Sequence, residues 1–99
     1  MNGVALIAHF DGDPEQLETR FQHAARDYAR TADCPQPETA LVLRNKDGIA
    51  AVLVWPEATS LQPFRTFLRA AIDERGLPHP RVEHFRASAL TWESIARHV

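Results

Sequence analysis

The stretch Val4-Ala5-Leu6-Ile7-Ala8-His9-Phe10 decides the fold of this chain. It is apolar at nearly every position and runs into Asp11-Gly12-Asp13-Pro14, which joins a turn signal to a helix-capping aspartate and a proline suited to the first helical position. A short apolar run that ends in a turn is typical of a buried strand. The sequence therefore opens with a strand that leads directly into a helix.

The first helix is predicted from Pro14 to about Ala32. Its apolar residues recur at spacings of four, three and four, and they are Leu17, Phe21, Ala24 and Tyr28. Residues at this spacing share one side of a helix, so that side must be buried against another element. Cys34-Pro35-Gln36-Pro37 follows and is predicted to be a loop, because proline disfavours helical geometry in the residue before it.

A β-hairpin is predicted in the middle of the chain. Two β-rich runs, Thr39–Arg44 and Ile49–Trp55, flank Asn45-Lys46-Asp47-Gly48. The Asp-Gly pair within this linker suits a tight hairpin turn, so the two runs should pair as antiparallel strands.

A second helix is predicted after Trp55-Pro56, with Thr59 or Ser60 as its cap. Pro63 is tolerated there because amides in the first helical turn have no partner within the helix. The apolar side of this helix comprises Phe64, Phe67, Leu68, Ala71 and Ile72. Gly76-Leu77-Pro78 is a stop signal, since glycine accepts the left-handed conformation that ends many helices.

The last part of the chain is predicted to form a strand at Arg81–Ala87. Thr91 can then cap a short C-terminal helix that runs through His98. The element order, without that last helix, is strand, helix, strand, strand, helix, strand. This order predicts a ferredoxin-like α+β fold, with a four-stranded antiparallel sheet covered on one face by two helices, in a single domain over residues 1–99.

The second face of the predicted sheet is also apolar. A sheet with one solvated face should alternate apolar and polar residues, yet Val4–Phe10 and Ile49–Trp55 are apolar at nearly every position. Two helices cover only one face, so the other is expected to pack against a second copy of the chain. The sequence thus predicts a homodimer with a two-fold interface.

Composition excludes several classes of protein. The 13 acidic residues balance 11 basic ones to a net charge of −2, and no basic tract is present, which argues against nucleic acid or a membrane surface as partner. Cys34 is the only cysteine, so neither an internal disulfide nor a cysteine zinc cage is expected. With no bilayer-length apolar run and no secretion signal, the chain is expected to be cytoplasmic. The sequence offers no obvious third metal ligand beside His9 and His84, so neither a metal nor another cofactor is expected.

The candidate catalytic residues are His9, His84 and Arg86. His9 should project from the face of the first strand away from the helices, where imidazole can take and return a proton near physiological pH. The first and last strands are neighbours in a ferredoxin-like sheet, so His84 and Arg86 are predicted to approach His9, with Arg86 stabilising an anion. The structural alternatives are a hydrogen-bonded interface histidine and an edge strand whose His84 and Arg86 face solvent.

The candidate substrate-binding residues are Ile7, Trp55 and Val82. Ile7 shares a face with His9, Val82 shares one with His84, and Trp55 is a large aromatic residue at the end of the third strand. Together they would line an apolar cavity beside the polar groups. Core packing is the alternative role for Trp55, as it is for Phe10 and Tyr28.

Three segments carry a resemblance to a known family: Ala8-His9-Phe10-Asp11-Gly12-Asp13-Pro14, Gly48 to Pro56, and Gly76-Leu77-Pro78-His79-Pro80-Arg81-Val82-Glu83. Over about Val4 to Ala87 the chain resembles small actinobacterial-type proteins of the dimeric α/β-barrel superfamily, with a distant similarity to antibiotic-biosynthesis monooxygenases. The resemblance implies two ferredoxin-like subunits packed sheet to sheet around a cavity. The asparagine, tryptophan and histidine set of the haem-degrading branch is not matched beyond Trp55.

Three functions remain open at this point. The first is a homodimer that binds a small hydrophobic or aromatic molecule and transforms it by cofactor-free monooxygenase, cyclase or isomerase chemistry, with His9 as proton acceptor. The second is a noncatalytic carrier or sensor that uses the same cavity. The third is a dimerisation or scaffold module without a ligand. Fold analogy alone does not decide among them.

Overall fold

The computed structural model describes residues 2–31, 34–57, 61–88 and 96. Its elements, in chain order, are β1 (Asn2–Asp11), α1 (Pro14–Ala29), β2 (Thr39–Asn45), β3 (Gly48–Trp55), α2 (Leu61–Arg75) and β4 (Arg81–Ser88). The predicted βαββαβ order is therefore confirmed. The suggested cap of the second helix, Thr59 or Ser60, lies outside the described residues, as does the helix predicted over Thr91–His98 except for Ala96.

The strands form one four-stranded antiparallel sheet in the order β2-β3-β1-β4. The two most continuously apolar strands, β1 and β3, occupy its centre, while β2 and β4 are the edges. This is the predicted ferredoxin-like α+β arrangement. In the register of the central pair, Leu6 lies opposite Leu53 and Ile7 lies opposite Val52. The first pair projects from one face of the sheet and the second pair from the other.

Helix α1 begins as the sequence indicates. The Asp13 carboxylate accepts a hydrogen bond from the Gln16 amide at 3.3 Å, and Pro14 occupies the first helical position. The four apolar residues that were predicted to share one side of this helix are all buried: Leu17, Phe21, Ala24 and Tyr28. The helix ends at Ala29, before the predicted end at Ala32, because the chain turns at Arg30 and Thr31.

The hairpin turn has Lys46 and Asp47 at its centre, and Gly48 already belongs to β3. The Asn45 side-chain oxygen accepts hydrogen bonds from the Asp47 and Gly48 amides at 2.8 and 2.9 Å, which fixes the turn. Gly48 passes so close to β1 that a Cβ atom would lie 2.0 Å from the Phe10 carbonyl oxygen. Glycine is therefore required at this position, because the backbones of the two strands approach too closely for a side chain.

Helix α2 ends at the predicted stop. Gly76 adopts a φ of 68°, and the Leu77 amide donates to the Ile72 carbonyl at 3.1 Å. This is the hydrogen bond of a Schellman motif, and the buried Leu77 side chain supplies the apolar contact that accompanies it. No helix in the part of the chain described here is both long and apolar enough to cross a bilayer.

The core between the helices and the sheet is built around aromatic rings. Trp55, Tyr28 and Phe10 are almost fully buried, and the Trp55 and Tyr28 rings both lie about 5 Å from the ring of Phe64. The Tyr28 hydroxyl and the Trp55 indole N–H both donate to the Pro35 carbonyl, at 2.7 and 3.2 Å. These two hydrogen bonds satisfy the polar atoms of the buried rings and fasten the loop after α1.

Replacing Tyr28 with Phe is expected to lower stability by about 1 kcal/mol, the typical net contribution of one hydrogen bond. It should also change how stability depends on alkaline pH. Burial, with a smaller contribution from Cys34, raises the pKa of the Tyr28 hydroxyl above its ordinary value of 10.0. The unfolded chain therefore ionises first, so stability is full below pH 10.0 and falls as pH rises from there towards the folded pKa.

Urea unfolding of wild type and Tyr28→Phe on both sides of that value measures the effect. The difference between the two proteins should shrink as the solution becomes more alkaline, because only wild type loses this contribution. Tyr28 is the only tyrosine in the sequence, so tyrosinate absorbance reports its ionisation directly. A tyrosine that titrates at its ordinary pKa in the folded protein would contradict the prediction.

Candidate functional site

One face of the sheet is not covered by the helices, and we call it the open face. Its central residues are half-buried in the single chain, and they are Ala5, Ile7 and His9 on β1 with Ala50, Val52 and Val54 on β3. The large apolar residues of the edge strands are exposed here: Leu41 by 44%, Leu43 by 55% and Phe85 by 49%. Apolar side chains therefore extend across this face from one edge strand to the other.

A cleft of about 410 Å³ lies at one end of this face, where β1 ends beside the β2–β3 turn. It is lined by His9, Phe10, Asp11, Leu43, Arg44, Asn45, Asp47, Gly48, Ile49, Ala50 and Arg81. Leu43 and Ala50 give it an apolar side, and His9 and Arg81 give it a side with proton-transfer and charged groups. Its volume is within the range of sites for small molecules, about 300–1,000 Å³.

The His9 ring is held by a carboxylate from the neighbouring edge strand. Its Nε2 lies 2.8 Å from Glu83 Oε1, and the His9 side chain is 29% exposed. An ionised carboxylate only accepts hydrogen bonds, so Nε2 carries the hydrogen and Nδ1 of the neutral ring is left as an acceptor. Glu83 therefore orients the ring.

Two arginines line the cleft, and each has a carboxylate partner. Arg81 Nη1 lies 3.2 Å from the same Glu83 Oε1. Arg44 Nη2 lies 2.6 Å from Glu18 Oε2, and this hydrogen bond lowers the pKa of Glu18 and raises that of Arg44. Arg44 is thus tied to α1, whereas Arg81 forms one three-residue group with Glu83 and His9.

The structure corrects the prediction that His84 and Arg86 approach His9. In the β1–β4 register Leu6 lies opposite His84, and Val4 lies opposite Arg86. Residues opposite each other in an antiparallel pair share a face, so both project on the same side as the helices. His84 Nδ1 lies 2.9 Å from Nη2 of Arg65 on α2. Their predicted placement beside His9 is therefore wrong.

Two of the three predicted substrate-binding residues are also displaced from the open face. Trp55 is fully buried in the core, so its alternative role in packing is the one observed. Val82 lies opposite Ala8 on the helix-covered face and packs against the core. Ile7 does lie on the same face as His9, as predicted.

Glu83 and Arg81 were not identified from the sequence as partners of His9. They occupy the positions of β4 opposite Ile7 and His9, respectively. The alternation of β4 does place Glu83 and Arg81 on a common face, but an edge strand with polar residues on both sides does not reveal which face that is. Within the described part of the chain, no group of three His, Cys, Asp or Glu side chains is positioned to hold a metal ion.

Comparison with solved structures identifies proteins of the same fold. The chain aligns with SnoaB, a cofactor-independent oxygenase from Streptomyces nogalater, at 22% identity and a TM-score of 0.63, covering 92% of this chain and 96% of that one. It also aligns with a candidate antibiotic biosynthesis monooxygenase from Chloroflexus aurantiacus J-10-fl at 17% identity and a TM-score of 0.55, covering 90% and 94%. No family model and no curated protein matches the chain. The expected resemblance to monooxygenase-like proteins is confirmed at the level of the fold.

Proposed function

We propose that this protein forms a homodimer through the open face and binds a small hydrophobic or aromatic molecule in the cleft beside His9. The observation that carries the proposal is that His9, which Glu83 holds at 2.8 Å, lines a cleft with an apolar side at one end of the open face. An oriented imidazole with one acceptor nitrogen, next to an apolar wall, suits a ligand that is mostly apolar but bears one acidic proton.

A second copy is the proposed partner for the open face. Ile7, Val52 and Val54 already lose part of their solvent exposure within one chain, and Leu41, Leu43 and Phe85 remain available at its margins. A two-fold interface brings the same surface from both copies together, so each apolar residue meets another apolar surface. Packing of the two sheets against each other would also cover the cleft and exclude water from the ligand.

The proposed chemistry begins with proton transfer to His9. Nδ1 accepts a proton from a phenol or an acidic C–H of the ligand, and Glu83 stabilises the resulting imidazolium. Arg81 lies on the same side of the cleft and can pair with the anion that forms. It takes the role that the sequence assigned to Arg86.

Cofactor-free oxygenation is the reaction proposed to follow. The ligand carbanion combines with dioxygen, one oxygen atom remains as a carbonyl, and the other leaves as water with the two hydrogens lost from the carbon. Support comes from SnoaB, a cofactor-independent oxygenase with the same fold at 22% identity. The residues of the present chain supply the base and the anion partner for the first step.

Anthrone is a suitable probe, because it is aromatic and its methylene group is acidic. We expect oxygen-dependent conversion to anthraquinone, followed by absorbance and oxygen uptake. His9→Gln should reduce kcat/KM by about a hundredfold or more, as is typical for loss of a general base. Glu83→Gln should reduce it less, because the amide oxygen can still accept from Nε2 while the charge is gone.

His23→Gln is the matched control, since His23 is an exposed histidine on α1. Its kcat/KM should equal that of wild type. Unchanged turnover in His9→Gln would exclude His9 as proton acceptor. Saturable binding of anthrone without oxygen uptake would instead identify a carrier or sensor, and absence of any binding would favour a scaffold module.

A further inference from the structure

A second cleft lies on the opposite side of the sheet, between α2 and the start of β4. It has a volume of about 380 Å³ and is lined by Arg65, Leu68, Arg69, Ile72, His79, Pro80 and Val82. We call it the α2–β4 groove. Leu68 and Ile72 are buried, and Pro80 and Val82 are half-buried, so the floor of the groove is apolar.

The rim of the groove is cationic. Arg65 and Arg69 lie one turn apart on α2, and neither has a carboxylate at ion-pair distance among the residues that the structure describes. Arg44, Arg75 and Arg81, in contrast, each form an ion pair. An apolar floor beside two unneutralised guanidinium groups is complementary to an anion with an apolar body.

Arg65 has hydrogen-bonding capacity that the described residues do not fill. Its Nη2 is 2.9 Å from His84 Nδ1, while its Nε atom is shielded from solvent and has no hydrogen-bond partner in the part of the chain that the structure describes. A buried N–H without an acceptor costs free energy. Nε and Nη2 form the edge of a guanidinium that pairs with a carboxylate through two parallel hydrogen bonds.

We propose that the α2–β4 groove binds a small amphiphilic monocarboxylate, separately from the site beside His9. The carboxylate pairs with the Nε–Nη2 edge of Arg65, where it replaces the exposed His84 ring, and with Arg69. The apolar body lies over Leu68, Ile72 and Val82. The carboxylate of this ligand accepts a hydrogen bond from Arg65 Nε and neutralises the charge of Arg69.

Octanoate tests the proposal on the full-length ¹⁵N-labelled protein. Titration followed by ¹H–¹⁵N NMR should shift the amides that line the groove, with saturation. Arg69→Gln, at an exposed position, should weaken octanoate binding by about tenfold or more, in keeping with loss of a charge-assisted hydrogen bond. Arg65→Gln should do the same, whereas Arg30→Gln, an exposed arginine after α1, should leave the affinity unchanged.

Octanol and inorganic phosphate separate the two parts of the interaction. Each should bind at least about tenfold more weakly than octanoate, because each lacks either the charge or the apolar body. Equal binding of either compound would overturn the proposal, as would shifts centred on His9 or no saturable shifts. Contacts between the groove and residues 89–99 in the free protein would also overturn it, since the chain itself would then be the occupant.

Discussion

Replacing Trp55 with Ala is expected to lower the free energy of unfolding by about 3–5 kcal/mol, the range found for truncating a buried aromatic residue. The stability of a small domain is only about 5–15 kcal/mol in total, so this variant should lie close to the limit of folding. The physical reason is twofold. The substitution leaves a cavity beside Phe64, and it removes the indole hydrogen bond to the Pro35 carbonyl.

Urea unfolding followed by far-ultraviolet circular dichroism measures this loss. Trp55→Phe is the graded control, because it keeps an aromatic ring against Phe64 but removes the indole N–H, and its loss should be clearly smaller. If Trp55→Ala cost less than about 1 kcal/mol, a buried role for Trp55 would be contradicted.

Replacing Val52 with Glu is expected to convert the proposed dimer into monomers. Val52 lies on the central strand β3, on the open face and opposite Ile7. In a two-fold interface one substitution places two carboxylates, one from each copy, in the apolar contact without a partner. The free energy of burying an unpaired charge therefore opposes dimerisation twice. We expect the dimer dissociation constant to rise by at least about a hundredfold.

Sedimentation velocity over a range of concentrations measures the change. Ala70→Glu is the matched control, since it adds the same charge at an exposed position of α2, and it should sediment as wild type does. A wild-type protein that remains monomeric at all accessible concentrations would contradict the dimer. So would a Val52→Glu variant that stays dimeric.

Much of the fold follows from local pattern. The stripe in α1 predicted its four buried residues, because residues at helical spacing share a face whatever the rest of the chain does. Gly76 and the proline that soon follows it, Pro78, predicted the end of α2, since a helix stop depends on the backbone of a few neighbouring residues. The order of strands and helices along the chain likewise predicted the ferredoxin-like sheet.

The candidate site was predicted only in part, and the reason lies in β4. His9 was assigned to the correct face because Val4, Leu6, Ala8 and Phe10 clearly identify the buried side of β1. On β4 the pattern is ambiguous, since Val82 projects from one side and Phe85 from the other. Edge strands are partly solvated on both faces, so their sequence shows only a weak alternation of apolar and polar residues.

The sequence by itself determined the order of the elements and the buried faces of both helices. The tertiary structure alone decided that His9 meets Glu83, a residue 74 positions away, and that His84 faces α2 instead. The physical reason is the two-residue period of a strand. A shift of one residue in the pairing of β1 with β4 exchanges every side chain between the two faces, and only the assembled hydrogen-bond ladder fixes that choice.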